Sequence, residues 1–114
     1  MAHYRAIIQV AESQTTLHEA ALRNVRNIAA DLGAAGTLAV VAHGEGIGLV
    51  TGDTGFEQEV GELIKQGVQV LACRNTLKRK QIPEERLLPA VEIVTSGLGE
   101  IIRRQHDGWA YVRP

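Results

Sequence analysis

Cys73 is the one cysteine of the chain. It stands where the apolar run Val68 to Ala72 gives way to the basic segment Arg74 to Lys80. The thiolate rather than the thiol is the nucleophile, and a strand-to-helix junction beside Arg74, Lys78, Arg79 and Lys80 favours the ionised form. Plain packing also suits a free cysteine, which is among the most buried residue types. His43 ends a second apolar run, Thr37 to Ala42. If the two runs are neighbouring strands, His43 can orient or deprotonate the thiol. A histidine bonded to loop backbone is the simpler alternative.

The stretch His43 to Gly48 could offer the amides of Gly44 and Gly46 to an anion. It lacks the spacing of the dinucleotide fingerprint and of the P-loop, and Glu45 opposes a phosphate, so a flexible turn is the favoured reading. Ser96-Gly97-Leu98-Gly99 is similar in kind, and helix capping alone accounts for Ser96. With Arg74 and Asn75 after the thiol, the candidates that could contact a substrate around Cys73 and His43 are Gly44, Gly46, Arg74, Asn75 and Ser96. Cys73 and Arg79 have the spacing of a cysteine phosphatase, but the five residues between them contain no glycine to wrap amides around a phosphate. His3, His18 and His106 are scattered and read as surface residues, and no metal or cofactor site suggests itself.

The elements that must position these groups follow from periodicity. Tyr4 to Val10 reads as a strand and Glu12 to Thr15 as a loop. Thr16 with Glu19 forms a capping box for a helix carrying Ala21, Leu22, Val25, Ile28, Ala29 and Leu32, stopped by Gly33. Thr37 to Ala42 is a strand covered on both faces. Thr54 with Glu57 caps a helix whose stripe is Phe56, Val60, Leu63 and Ile64, ended by Gly67. Val68 to Ala72 is the third strand. Asn75 caps a short basic turn through Lys80, Pro83 opens another before Pro89, and Val91 to Thr95 is the fourth strand. Ser96 caps a last helix bearing Leu98, Ile101 and Ile102, and Gly108 precedes a final strand, Trp109 to Val112.

This alternation predicts a three-layer α/β/α sandwich with a mainly parallel sheet of about five strands, in a single domain over residues 1–114. Ligands of such sheets bind outside the carboxyl ends of the strands, where His43, Cys73 and Ser96 all fall. A length of 114 residues with 45% hydrophobic content suffices for a core without staples. A lone cysteine excludes internal disulfides and multi-cysteine metal sites and fits a reducing, cytoplasmic setting. The first residues lack the apolar core of a signal peptide, and no apolar run approaches the roughly 20 residues that span a bilayer. A net charge of −1 and 4% aromatic content give nucleic acid and membrane partners little support.

Val40-Val41-Ala42-His43-Gly44, Ala72-Cys73-Arg74-Asn75-Thr76-Leu77, Leu87-Leu88-Pro89, and the ending Ser96-Gly97, Gly99-Glu100-Ile101, Arg104-Gln105, Gly108-Trp109-Ala110-Tyr111 and Pro114 resemble the DsrE/DsrF-like family. The closing segment is the most specific part. The resemblance implies homo-oligomers such as trimers or hexamers. For some members it implies a sulfur relay in which a cysteine, matched by Cys73, carries sulfur as a persulfide between donor and acceptor proteins. Two other readings stand beside a sulfur carrier or sulfurtransferase: a non-catalytic oligomeric binding module for a small anion, and a hydrolase using Cys73 and His43.

Overall fold

A strand of continuous apolar residues is stable only where both of its faces are covered, and the central segments of this chain meet that condition. The computed structural model describes residues 3–52 and 55–114. In chain order the regular elements are β1 (Tyr4–Val10), α1 (Thr15–Leu32), β2 (Gly36–Ala42), α2 (Glu57–Lys65), β3 (Gln69–Cys73), α3 (Arg74–Arg79), β4 (Glu92–Val94), α4 (Gly97–His106) and β5 (Ala110–Val112). The strands of the sheet pair in parallel, in the order β4-β3-β2-β1-β5. After β4 the chain therefore crosses the whole sheet, by way of α4, to reach the opposite edge.

Strand alternation sorts the core into two layers. Ala6, Ile8 and Val10 of β1, with Leu38, Val40 and Ala42 of β2, pack against Ala21, Leu22 and Val25 of α1 and Val60 and Leu63 of α2. On the other face Ile7, Ala39, Val41 and Leu71 meet Ile101 of α4, with Val94 and Trp109 at the margin. This second layer is the thinner one. Arg104 stacks on Trp109 at 4.4 Å and bonds Glu100 at 2.7 Å and Gln69 at 2.9 Å, which ties α4 down across the sheet.

Several local expectations need correction. α1 starts one residue before Thr16, at Thr15, with Gln14 as its cap residue and no side-chain cap bond, so the Thr16–Glu19 box does not form. His18 lies three, four and seven residues before Ala21, Leu22 and Val25 and so shares their buried stripe. It is not a surface residue: its ring bonds the Glu12 carbonyl and meets Phe56 edge-on at 5.9 Å. The box assigned to Thr54 lies outside the described residues. Cys73, not Asn75, is the cap position of α3, because the chain turns helical directly from β3. The glycine-rich stretch is an ordered 3-10 turn over Gly44–Val50 rather than a flexible loop, since Ile47, Leu49 and Val50 anchor it in the core. On α4, Gly97 and Ile101 face the sheet, whereas Leu98 and Ile102, about 100° further round, are 54% and 68% exposed.

Among the described residues, two that are not glycine occupy the left-handed region. Gln81 (φ 55°) ends α3 in a Schellman arrangement, with Ile82 N–H donating to Leu77 O at 2.9 Å and Gln81 N–H to Lys78 O at 3.2 Å. Ala90 (φ 67°) follows Pro89 in a tight turn closed by Val91 N–H on Leu88 O. Each side chain costs more in this region than glycine would. Gln81→Gly and Ala90→Gly should therefore each stabilise the protein by about 0.5–1 kcal/mol, read as a higher denaturation midpoint with an unchanged slope. A destabilised variant would show that the side chain contributes contacts outweighing its strain.

Candidate functional site

The parallel sheet brings the carboxyl ends of β1, β2 and β3 to one edge, and the residues with chemical potential collect there. Cys73 closes β3, and its side chain falls on the α4 face, in alternation with Leu71. It is 6% exposed. Burial raises the pKa of its thiol, but the Thr76 hydroxyl and the amides of Gly97, Thr76 and Asn75 outweigh burial and hold it below the ordinary thiol value. No side chain makes a regular cap bond on α3. Instead the Asn75 and Thr76 amides of its first turn and the first amide of α4, that of Gly97, lie around the sulfur.

Thr76 organises this arrangement. It is 3% exposed, and its Oγ1 accepts the Gly44 N–H at 2.8 Å, leaving the hydroxyl proton for the sulfur. Sequence reasoning missed Thr76 and Gly97. A signal for Thr76 was available: it lies three residues after the cap position, where side chains turn back toward the cap. Gly97 has none, because β4 separates it from Cys73 in the chain. A Cβ on Gly97 would lie 2.9 Å from the His43 Cβ, so α4 can cover the thiol only with glycine here.

His43 reaches the same edge from β2, hydrogen-bonded through its own N–H to Val10 O at 3.2 Å. Its Nε2 is 2.7 Å from the Gln9 amide nitrogen rather than turned to the sulfur. Burial lowers its basicity, and Arg113 adds to this against the smaller opposing effect of Glu12. Glu12 and Arg113 pair at 2.6 Å, and this bond holds the Glu12 carboxyl below its usual range.

The remaining predicted residues divide between site and scaffold. Asn75 contributes its backbone amide near the sulfur, and that amide also donates to Thr95 O at 3.3 Å. The Gly46 amide donates to His43 O at 2.9 Å, and a Cβ there would stand 2.1 Å from Val10 O, so this glycine lets the 3-10 turn pass over β1. Ser96 caps α4, its Oγ accepting the Gly99 N–H at 3.0 Å. Arg74 turns outward to Glu84 at 2.9 Å, and Lys78 is exposed. The expected help of these two cations to the thiolate is corrected by that geometry: helical backbone after Cys73 carries both side chains away, and neither contributes to the thiol's shift. Lys80 is occupied by Glu45 at 2.9 Å.

A cavity of about 530 Å³ lies at the opposite edge of the sheet among Leu38, Gly67 and Val68. A shallower one of about 390 Å³ is bounded by Arg74, Leu77, Lys78 and Glu84 on the outer side of α3. The thiol is thus set by its donors rather than by a deep pocket. Its ionisation, followed by thiolate absorbance against pH, should have a lower midpoint in the folded protein than in denaturant, because the lowered pKa belongs to the folded surroundings. A folded midpoint at or above the denatured one would show burial prevailing.

The DsrE/DsrF-like family model matches residues 6–114. A protein of unknown function from Methanobacterium thermoautotrophicum, MTH1491, shares 39% identity, with 97% of this chain and 99% of that one covered at a TM-score of 0.93. The ychN protein from E. coli superposes over 100% of both chains with a TM-score of 0.72 at 16% identity, a likeness of fold alone. No curated protein matches the sequence.

Proposed function

This chain belongs to the DsrE/DsrF-like family, which is linked to sulfur relay, and on that premise we propose that Cys73 carries sulfane sulfur as a persulfide between a donor and an acceptor protein. One observation carries the reading: the chain's single cysteine is a buried thiol at the carboxyl end of β3 and at the cap position of α3. In the loading step the Cys73 thiolate attacks the outer sulfur of a donor persulfide. A new S–S bond forms at Sγ, the donor's S–S bond breaks, and its electron pair leaves with the donor thiolate. In the unloading step an acceptor thiolate attacks the outer sulfur and Cys73 departs as thiolate. The groups that favour the thiolate as nucleophile also make it a good leaving group, and neither step has a net oxidant or reductant.

The hydrolase reading draws less support, because the His43 Nε2 is engaged with Gln9. The anion-binding reading draws less too, since the Gly44 and Gly46 amides already have partners within the fold. The test is intact mass after exposure to a small-molecule persulfide. Wild type should gain one sulfur that reductant removes, and Cys73→Ser should gain none. Wild type that gains nothing under conditions that load a free thiol would end the carrier reading.

The carrier is further proposed to be a homo-oligomer, a trimer or hexamer. Leu98 and Ile102 form an exposed apolar pair on α4, over the thinner layer of the core, and Tyr111 on the edge strand β5 is 41% exposed. Light scattering at micromolar concentration should give a multiple of 12.3 kDa, and Leu98→Glu with Ile102→Glu should lower it. A monomeric wild type would overturn this.

A further inference from the structure

Gln9, at the carboxyl end of β1, is only 8% exposed, and both ends of its amide have partners. Its nitrogen stands 2.7 Å from the His43 Nε2, and its oxygen accepts the hydroxyl proton of Tyr111 on β5. An amide is not symmetric: its oxygen only accepts and its nitrogen only donates. With the phenol proton on the oxygen, the nitrogen faces the imidazole, so the His43 Nε2 must present its lone pair. The proton of the neutral ring then sits on Nδ1.

We propose that Gln9 and Tyr111 are positioning residues for His43, holding its ring in the Nδ1–H form so that it works beside Cys73 as a hydrogen-bond donor and not as a base through Nε2. Protonating the ring would bring two donors face to face. Relief requires the Gln9 amide to turn over, which sets its nitrogen against the Tyr111 oxygen and drives the phenol proton outward. Histidine, glutamine and tyrosine therefore change state together, and the signal ends at a tyrosine on the edge strand, 41% exposed as a residue. The titratable and charged groups around the ring are Glu12 beyond β1, Arg113 beyond β5, Tyr111 itself and Cys73 at the end of β3, with Glu45 of the following turn held by Lys80. The lowered basicity of His43 agrees with a neutral resting ring.

The use of this donor in sulfur transfer rests on the carrier reading; the proton's position does not. Long-range proton–nitrogen NMR of labelled protein, with His43→Gln to assign the ring, reads the tautomer directly. Wild type should show Nδ1 protonated and Nε2 bare. Tyr111→Phe removes the phenol that orients the amide, so the ring should become a mixture of both forms and titrate at higher pH. Gln9→Glu offers only acceptors, so the tautomer should invert to Nε2–H and the titration should rise further. An Nε2–H ring in wild type, or variants that leave tautomer and titration unchanged, would overturn the proposal. Should one variant fail to fold, the other and the wild-type spectrum still decide. Sulfur loading of wild type measured by mass reports separately on the carrier reading.

Discussion

Gly46→Ala should lower the denaturation midpoint far more than any other glycine-to-alanine change in the Gly44–Val50 turn. The new methyl would have to occupy space 2.1 Å from the Val10 carbonyl oxygen and 2.5 Å from its carbon, both backbone atoms of a central strand. No rotamer change relieves such a contact. The Gly44–Val50 turn would have to lift off β1, freeing Ile47, Leu49 and Val50 from the core. Overpacking of this kind costs about 3 kcal/mol or more, a large share of a small domain's stability of roughly 5–15 kcal/mol. Gly44→Ala is the control, for its Cβ would meet open space and its cost would be the left-handed strain alone, about 1 kcal/mol. Urea denaturation followed by circular dichroism separates the two. Equal, small losses would mean that the turn yields easily and that Gly46 is not fixed by packing.

Thr76→Val should disable the thiol without removing it. Valine keeps the shape of threonine but neither accepts the Gly44 amide proton nor donates to the sulfur. The thiol should then titrate at higher pH, and each unit of rise lowers the thiolate fraction at neutral pH about tenfold. Sulfur loading should slow in proportion, while an unpaired Gly44 amide costs about 1 kcal/mol of stability. Thr76→Ser should restore both the titration and the rate. If the valine variant loads at the wild-type rate, the amides of Asn75, Thr76 and Gly97 suffice and the hydroxyl belongs to the scaffold.

The strands were legible because each is a run of apolar residues between turn-formers, and their boundaries moved by only a residue or two. Cys73 and His43 were legible as site candidates for a topological reason, since parallel strands with helical crossovers all deliver their following residues to one edge. Orientation at that edge was not. Whether Arg74 faces the sulfur depends on how tightly α3 follows β3, and His43 is turned by Gln9 and Tyr111, which composition alone does not link to it. His18 was legible and was overlooked: it reads as a scattered polar residue, yet its spacing from Ala21, Leu22 and Val25 places it on their buried stripe. Leu98 and Ile102 read as core because apolar residues at helical spacing normally are, yet only one stripe of α4 meets the sheet.

The return of the chain across the sheet has a consequence for biosynthesis. A ribosome releases β1, β2, β3 and both helices of the first face well before it completes α4 and β5. In that interval Ile7, Ala39, Val41 and Leu71 lack their cover, and the sulfur of Cys73 is open to solvent, without the amide of Gly97 beside it. At about 5–20 residues per second the stretch from Cys73 to the end of α4 takes seconds to emerge. A nascent chain thus passes through a stage at which its thiol is accessible to small electrophiles and oxidants, and the arrival of α4 ends it.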